Sequence, residues 1–188
     1  GEWVSNAQHP GLAEVTMDML SEATTELDSV SFSSAKKALA ADIGSSAGLD
    51  GSSISLSSLK KNLNDSLALL SDVLQKPAFN QKDWEIMQKK YVQNAKADEE
   101  DPNQIAAKVW NQLTYGAQYA GISAGKDDYQ NRTLAEMKQW AMSHLRPENA
   151  QIIVGGDTSL EEVLPMLEQH LGSWSVTEPT EESTLSNS

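Results

Sequence analysis

The stretch Pro10–Thr24, PGLAEVTMDMLSEAT, constrains the fold of this chain more than any other. Leu12, Thr16, Met19, Leu20 and Ala23 recur at helical spacing, which predicts an amphipathic helix with a buried stripe. Pro10 suits the start of such a helix, where its missing N–H costs nothing. Glu14 and Asp18 are four residues apart, so they share a second face, with Met17 beside them. The rest of the chain is expected to organise itself around this helix.

The elements that follow can be read in order. Ser33–Ala41 is a second helix candidate. Ala41–Gly48 and Gly51–Leu59 are strand candidates, the second alternating Ile54 and Leu56 against serines, which is the period of a half-buried strand. Gly48-Leu49-Asp50-Gly51 between them reads as a hairpin turn. Leu59–Leu74 places Leu59, Leu63, Leu67, Leu70 and Leu74 on one helical side, and Lys76-Pro77 ends it. Asn80 is suited to cap the next helix, which runs to about Asp98 with Trp84, Met87, Tyr91 and Ala95 inward. Asp98–Asp101 is an acidic break. Pro102 then opens a helix carrying Ile105, Val109, Trp110 and Leu113. Thr133 with Glu136, and Ser159 with Glu162, have the spacing of capping boxes for helices over Leu134–Leu145 and Leu160–Leu171. Between those two, Ala150–Val154 reads as a short apolar strand stopped by Gly155-Gly156. Trp84, Trp110 and Trp140 are assigned to the core, and Trp3 and Trp174 to the ends of the domain. Tyr115 and Tyr119 fall in a Gly-rich loop, Tyr115–Gly125. The order strand–strand–helices–strand–helix predicts an α+β fold, an antiparallel sheet with helices packed on one face. One domain over residues 1–174 is expected, followed by a polar linker or tail over residues 175–188.

Composition narrows the function classes. The 188 residues include 27 acidic against 14 basic side chains, a net charge of −13, which argues against nucleic acid or an anionic membrane surface as partner. No run approaches the length of a membrane span. The chain contains no cysteine, which excludes disulfides and thiolate metal sites. Gly121-Ile122-Ser123-Ala124-Gly125 has the letters of a nucleophile elbow, but that motif needs a strand before it, and a helix and loop are predicted there. Val154-Gly155-Gly156-Asp157 resembles a phosphate-binding turn, yet it puts a carboxylate where an anion would sit. The three histidines, His9, His144 and His170, have no metal-ligand spacing on one helix. His144 and His170 fall near helix C-termini, which suit a partly protonated imidazole.

In its residues the first helix resembles the start of the insulinase-like (pitrilysin, M16) metallopeptidase domain, where the helix reads roughly G-x-A-H-x-x-E-H-M-L and ends in G-T. Gly11, Ala13, Met19, Leu20 and Thr24 match without a gap. Glu14, Met17 and Asp18 stand where that family has His, Glu and His. Carrying the spacing forward puts the family's last zinc ligand, a glutamate, at Asn94, with Pro77 and Phe79 before it and Asp101-Pro102 after it. A second acidic position of the family falls at Met87. Gly48, Asp50, Tyr115-Gly116, Gly125, Pro147, Gly156-Asp157 and Gly172-Ser173-Trp174 extend the resemblance in register as far as Trp174.

Zinc catalysis needs about three protein ligands, usually including imidazole, and an open position for water. A peptidase of this type adds a glutamate as general base, and a thioether cannot take that proton. The resemblance therefore implies a zinc-domain scaffold with a vacated site at Glu14, Met17, Asp18 and Asn94, and it carries over no catalytic residue. It implies a non-catalytic half of a clamshell peptidase, a chamber wall that needs no cofactor of its own, with zinc only in a catalytic partner domain. That M16-type partner would lie in cis or in trans, and a peptide would be the substrate held between them. It also implies that Gly1-Glu2-Trp3 is the tail of a strand, that the preceding N-terminal strands are missing, and that the open edge could pair two copies into a homodimer. Bacterial relatives commonly occupy the cell envelope. Two alternatives stay open: an active metallohydrolase with a changed ligand set such as His9, Glu14 and Asp18, and a protein-binding or assembly module.

Overall fold

The computed structural model describes residues 8–116 and 121–175. Trp3, Tyr119 and the expected strand tail at Gly1–Trp3 lie outside the described residues, as does most of the polar tail. Helix α1 (Leu12–Leu20) follows Gly11, whose φ of 74° is a left-handed conformation that glycine adopts without steric cost. Burial wraps further around α1 than the predicted stripe: Leu12, Ala13, Val15, Thr16, Met17, Met19 and Leu20 are all enclosed. Thr16 satisfies its buried hydroxyl by donating to the Leu12 carbonyl at 2.6 Å.

Helix α2 (Ser29–Ala38) begins four residues before the predicted start. The reason is Asp28, whose carboxylate accepts from the Ser31 N–H at 2.8 Å and caps the helix there. Phe32 is its buried anchor. Strands β1 (Asp42–Ala47) and β2 (Ser52–Ser57) form the predicted antiparallel hairpin, with Ile43 opposite Leu56 and Ser45 opposite Ile54. The turn closes through the Gly48 N–H, which donates to the Gly51 carbonyl at 2.8 Å. Ile43 is buried, Ile54 and Leu56 pack beside it, and the alternate serines of β2 face outward. Ser45 donates its hydroxyl to the Met17 carbonyl at 2.6 Å and so ties the inner sheet face to α1.

A 3-10 turn at Lys60–Asn62 precedes helix α3 (Leu63–Gln75). Leu59 was expected on the buried side of this helix, but it is exposed, because the regular helix starts only after that turn. Helix α3 buries Leu67, Leu69 and Val73. Helix α4 (Gln81–Glu100) is capped as predicted, Asn80 accepting from the Asp83 N–H at 2.9 Å. Trp84 and Ala95 are buried, and Met87 and Tyr91 pack against the core. The acidic break shrinks to one residue: α4 continues to Glu100, and Asp101 both ends it and caps helix α5 (Pro102–Tyr115) by accepting from the Asn103 N–H at 2.8 Å. Trp110, predicted in the core, is instead 69 % exposed, because it lies on the outer face of α5. Among the described residues α4 is the main element packed on α5, and Ile105, Val109, Trp110 and Leu113 of α5 are exposed.

Helix α6 (Lys126–Asn131) is short. Helix α7 (Leu134–His144) carries the predicted capping box: Glu136 accepts from the Thr133 N–H at 2.8 Å, and Thr133 accepts from the Glu136 N–H at 3.3 Å. Met137 and Trp140 are buried. Helix α8 (Leu160–Leu171) is capped by Ser159 and docks on α3, where Ser71 donates to the His170 carbonyl at 2.6 Å. His144 and His170 sit in the last turns of their helices, as expected. Ala150–Val154 is a correction: it forms no strand, and Ile153 is 86 % exposed. A strand exists only through its ladder, and no described strand lies beside this segment.

The architecture is α+β, an antiparallel sheet with helices gathered on its inner face. Helix α1 lies at its centre. Phe32, Ile43, Leu69, Val73, Trp84, Met137 and Trp140 surround it, one or two from each neighbouring element.

Candidate functional site

An open cleft of about 610 Å³ lies between α1 and α4. Three of the four singled-out residues, Glu14, Asp18 and Asn94, line it together with Met87 and Tyr91. Helical geometry accounts for this. Glu14 and Asp18 are one turn apart on α1, while Met87, Tyr91 and Asn94 descend one face of α4. Met17 is the exception. It is wholly buried in the core and does not line the cleft.

Two tyrosines hold the carboxylates. The Tyr91 hydroxyl donates to Asp18 Oδ2 at 2.6 Å, and the Tyr129 hydroxyl donates to Glu14 Oε2 at 2.9 Å. Their rings stack with centroids 4.8 Å apart. The sequence places Tyr91 on the inward face of its helix and does not single out Tyr129. The position of Tyr91, three residues before Asn94 on one helical face, was a usable signal for its place in the cleft. Tyr129 is 115 positions from Glu14 and offered none.

The cleft is electrostatically negative. Glu22 and Asp83 line it as well, and among the described lining residues Lys90 is the one cation. Burial pushes the Glu14 carboxyl above the usual range and the Asp18 charge adds to this, while the bond from Tyr129 works the other way. Burial and then the Asp83 charge raise Glu22. Tyr91 is raised well above the ordinary phenol range by burial first, then by its bond to Asp18. At neutral pH it is therefore a hydrogen-bond donor and not a phenolate.

This donor set does not fit a zinc ion. Two carboxylates already accept from phenols, one thioether is enclosed in the core, and an amide completes the set. Among the described residues no three His, Cys, Asp or Glu side chains are placed to hold a metal. The alternative ligand set fails on position. The His9 ring lies 3.5 Å from Arg132 Nη1 and 3.9 Å from Glu136, so it joins the network at the start of α7. Arg132, itself buried, also donates to the Pro10 carbonyl at 2.9 Å. Ser123 lies in an irregular segment with no described strand before it, so the elbow reading has no support. Gly155-Gly156 is a turn that feeds α8.

Two family models match the sequence. Insulinase (peptidase family M16) matches residues 1–124, and peptidase M16 inactive domain matches residues 131–186. No curated protein matches it. Among solved structures, a peptidase M16 inactive domain from Pseudomonas fluorescens superposes with a TM-score of 0.84 at 22 % identity, over 95 % of this chain and 45 % of that one. The periplasmic protease PqqL from Escherichia coli gives 0.78 at 16 %, over 94 % of this chain and 21 % of that one. A protease from Helicobacter pylori gives 0.73 at 17 %, over 92 % and 42 %. At these identities the superpositions speak for the fold, and the chain spans less than half the length of each of these structures. Among the described residues no helix is long and apolar enough to cross a membrane. The first family model covers well over half of the residues, and the chain belongs to the insulinase (M16) peptidase family.

Proposed function

We propose that this chain is a non-catalytic M16 domain that forms one wall of a substrate chamber, working with a zinc-bearing M16 partner in cis or in trans. One observation carries the reading. The α1 positions that resemble the family's metal site are occupied by Glu14, Met17 and Asp18, with the carboxylates taken up by tyrosine hydroxyls and the thioether in the core. Such a site lacks the imidazole ligands that catalytic zinc usually takes, and Met17 stands where the resemblance puts the general base. Zinc then belongs to the partner, and the negative cleft would meet peptide rather than metal.

The exposed apolar face of α5 supports an assembly role. Trp110 and Leu113 are 69 % and 79 % exposed, and large exposed apolar groups in a row mark interaction surfaces. The match to structures more than twice as long fits a unit that is completed by another.

The test is metal content by elemental mass spectrometry after incubation with zinc and dialysis at neutral pH, with peptide cleavage measured on the same sample. Retention well below one equivalent and no cleavage are expected. One equivalent retained, and lost in Glu14→Ala with Asp18→Ala, would overturn the reading in favour of a metallohydrolase. Purification from the native host separates the remaining alternative. A zinc-bearing homologue in the complex supports the chamber, and a complex without one favours a plain binding module.

A further inference from the structure

The turn of the β1–β2 hairpin, Gly48-Leu49-Asp50-Gly51, carries the single Asp-Gly step of the sequence, which has no Asn-Gly step. All four residues of the turn are exposed. A Cβ added at Gly51 would meet nothing within 4 Å, so the peptide after Asp50 borders open space. The base of the turn is tied by the Gly48 N–H, which donates to the Gly51 carbonyl at 2.8 Å. That tie uses the Gly51 oxygen and not its nitrogen. Two Asp-Ser steps offer the next smallest following residue, and the fold treats both differently. Asp28 caps α2, and its carboxylate accepts from the Ser31 N–H at 2.8 Å. Asp65 lies in the first turn of α3, and the Ser66 that follows it is wholly buried.

We propose that Asp50-Gly51 is a site of spontaneous covalent modification, at which the folded chain converts Asp50 to isoaspartate through a succinimide. The Gly51 nitrogen bonds to Asp50 Cγ, and its proton leaves with the carboxyl hydroxyl as one water. A second water then opens the five-membered ring. Attack at Cγ restores aspartate. Attack at the Asp50 main-chain carbonyl leaves the chain running through the side chain, which is isoaspartate. A side chain on the following residue hinders ring closure, and glycine has none. Water leaves easily from a protonated carboxyl and hydroxide poorly from an ionised one. Closure therefore slows as pH rises further above the ordinary aspartate value of about 3.9. The product keeps its mass but carries one more methylene in the main chain. The ladder meets that change at its open end, where Ala47 pairs with Ser52. Ile43 opposite Leu56, and Ser45 bonded to the Met17 carbonyl, hold the hairpin to the core further in. The modified chain therefore stays folded. This chemistry is independent of the functional reading above.

The test is to age the full chain at mildly acidic pH, folded and, in parallel, unfolded in urea. Isoaspartate is counted with an isoaspartyl O-methyltransferase and radiolabelled S-adenosylmethionine. It is located by electron-transfer fragmentation, which reads the Cα–Cβ bond that only isoaspartate puts into the main chain. In the folded chain isoaspartate is expected to build up at Asp50 several-fold faster than at Asp28 or Asp65, and more slowly at alkaline pH. The aged chain should melt at the temperature of the fresh one. Gly51→Ala should lower the yield at Asp50 several-fold. The hairpin accepts that variant, because the Gly51 backbone is not left-handed and the new Cβ meets nothing. Three results overturn the proposal: isoaspartate at Asp50 only in urea, equal yields at Asp50, Asp28 and Asp65 in the folded chain, or a yield that Gly51→Ala leaves unchanged. A clear fall in melting temperature that tracks the isoaspartate content also overturns it, because the fold would not survive the change.

Discussion

Helices α1 and α5 are both amphipathic, and both carry large apolar residues at helical spacing. Helix α1 encloses seven of its nine residues, whereas α5 encloses none of its fourteen. The difference lies in what surrounds them. Around α1 stand the hairpin, α4, α7 and Tyr129; among the described residues α4 is the main element packed on α5. An apolar face states that a helix needs a partner, but not that the same fold provides one. In α1 the need is met from within, and in α5 the large apolar groups stay exposed among the described residues.

Substitutions can break or sharpen that contrast. Met17→Ala attacks the enclosed side and should cost about 2–5 kcal/mol in a urea unfolding curve, because the cavity it leaves has little room to collapse. A loss under 1 kcal/mol would mean that α1 is less tightly enclosed than it stands here. Gly11→Ala comes next. The left-handed backbone alone costs about 1–3 kcal/mol for a residue with a Cβ, and the new atom would meet Tyr129 at 2.8 Å and Ala124 at 2.9 Å. Its melting temperature should fall clearly.

Acid should act on the two sides of the core in opposite senses. Glu14 and Glu22 have folded pKa values raised by burial, so the folded chain holds their protons more tightly than the unfolded chain does. Their contribution is complete below the ordinary glutamate value of about 4.3 and is lost as pH rises through the raised values. His144, stacked on Trp140 at 4.8 Å, is lowered by burial. Its contribution is complete above about pH 6.5 and is lost as pH falls from there through the lowered value. Unfolding curves between pH 4 and pH 8 should therefore show less acid loss for His144→Gln than for the parent chain. Glu14→Gln with Glu22→Gln should show more. The reverse pattern would place the water-excluding side elsewhere.

The smallest effect is expected on α5. Trp110→Ser or Leu113→Ser should change the stability of the isolated chain by no more than about 0.5 kcal/mol, while weakening any complex that uses this face. A large stability loss would show that α5 is covered in solution and would remove the contrast.

The elements legible from the sequence share a local cause. The Asn80 cap and the Thr133–Glu136 box depend on residues three positions apart, and the hairpin on a short turn. The α1 stripe follows from helical periodicity. The resemblance that singled out Glu14, Asp18 and Asn94 worked in the same way, through spacing along two helices that the fold then sets side by side. Asp28 was overlooked as a cap, and its side chain moved the start of α2 by four residues.

What the sequence alone determined, then, is most of the helical segments, the caps at Asn80, Thr133 and Ser159, and the pairing of two strands. The tertiary structure decided the rest. It enclosed Met17 and left Trp110 in solvent, although both sit on predicted helices. It left Ile152–Val154 without a ladder and drew His9 to Arg132. It also brought Tyr129 across 115 positions to Glu14. Periodicity and capping are short-range and visible in a window of a few residues. Burial, strand pairing and the partner of a carboxylate depend on which distant surface arrives, and only the folded chain contains that information.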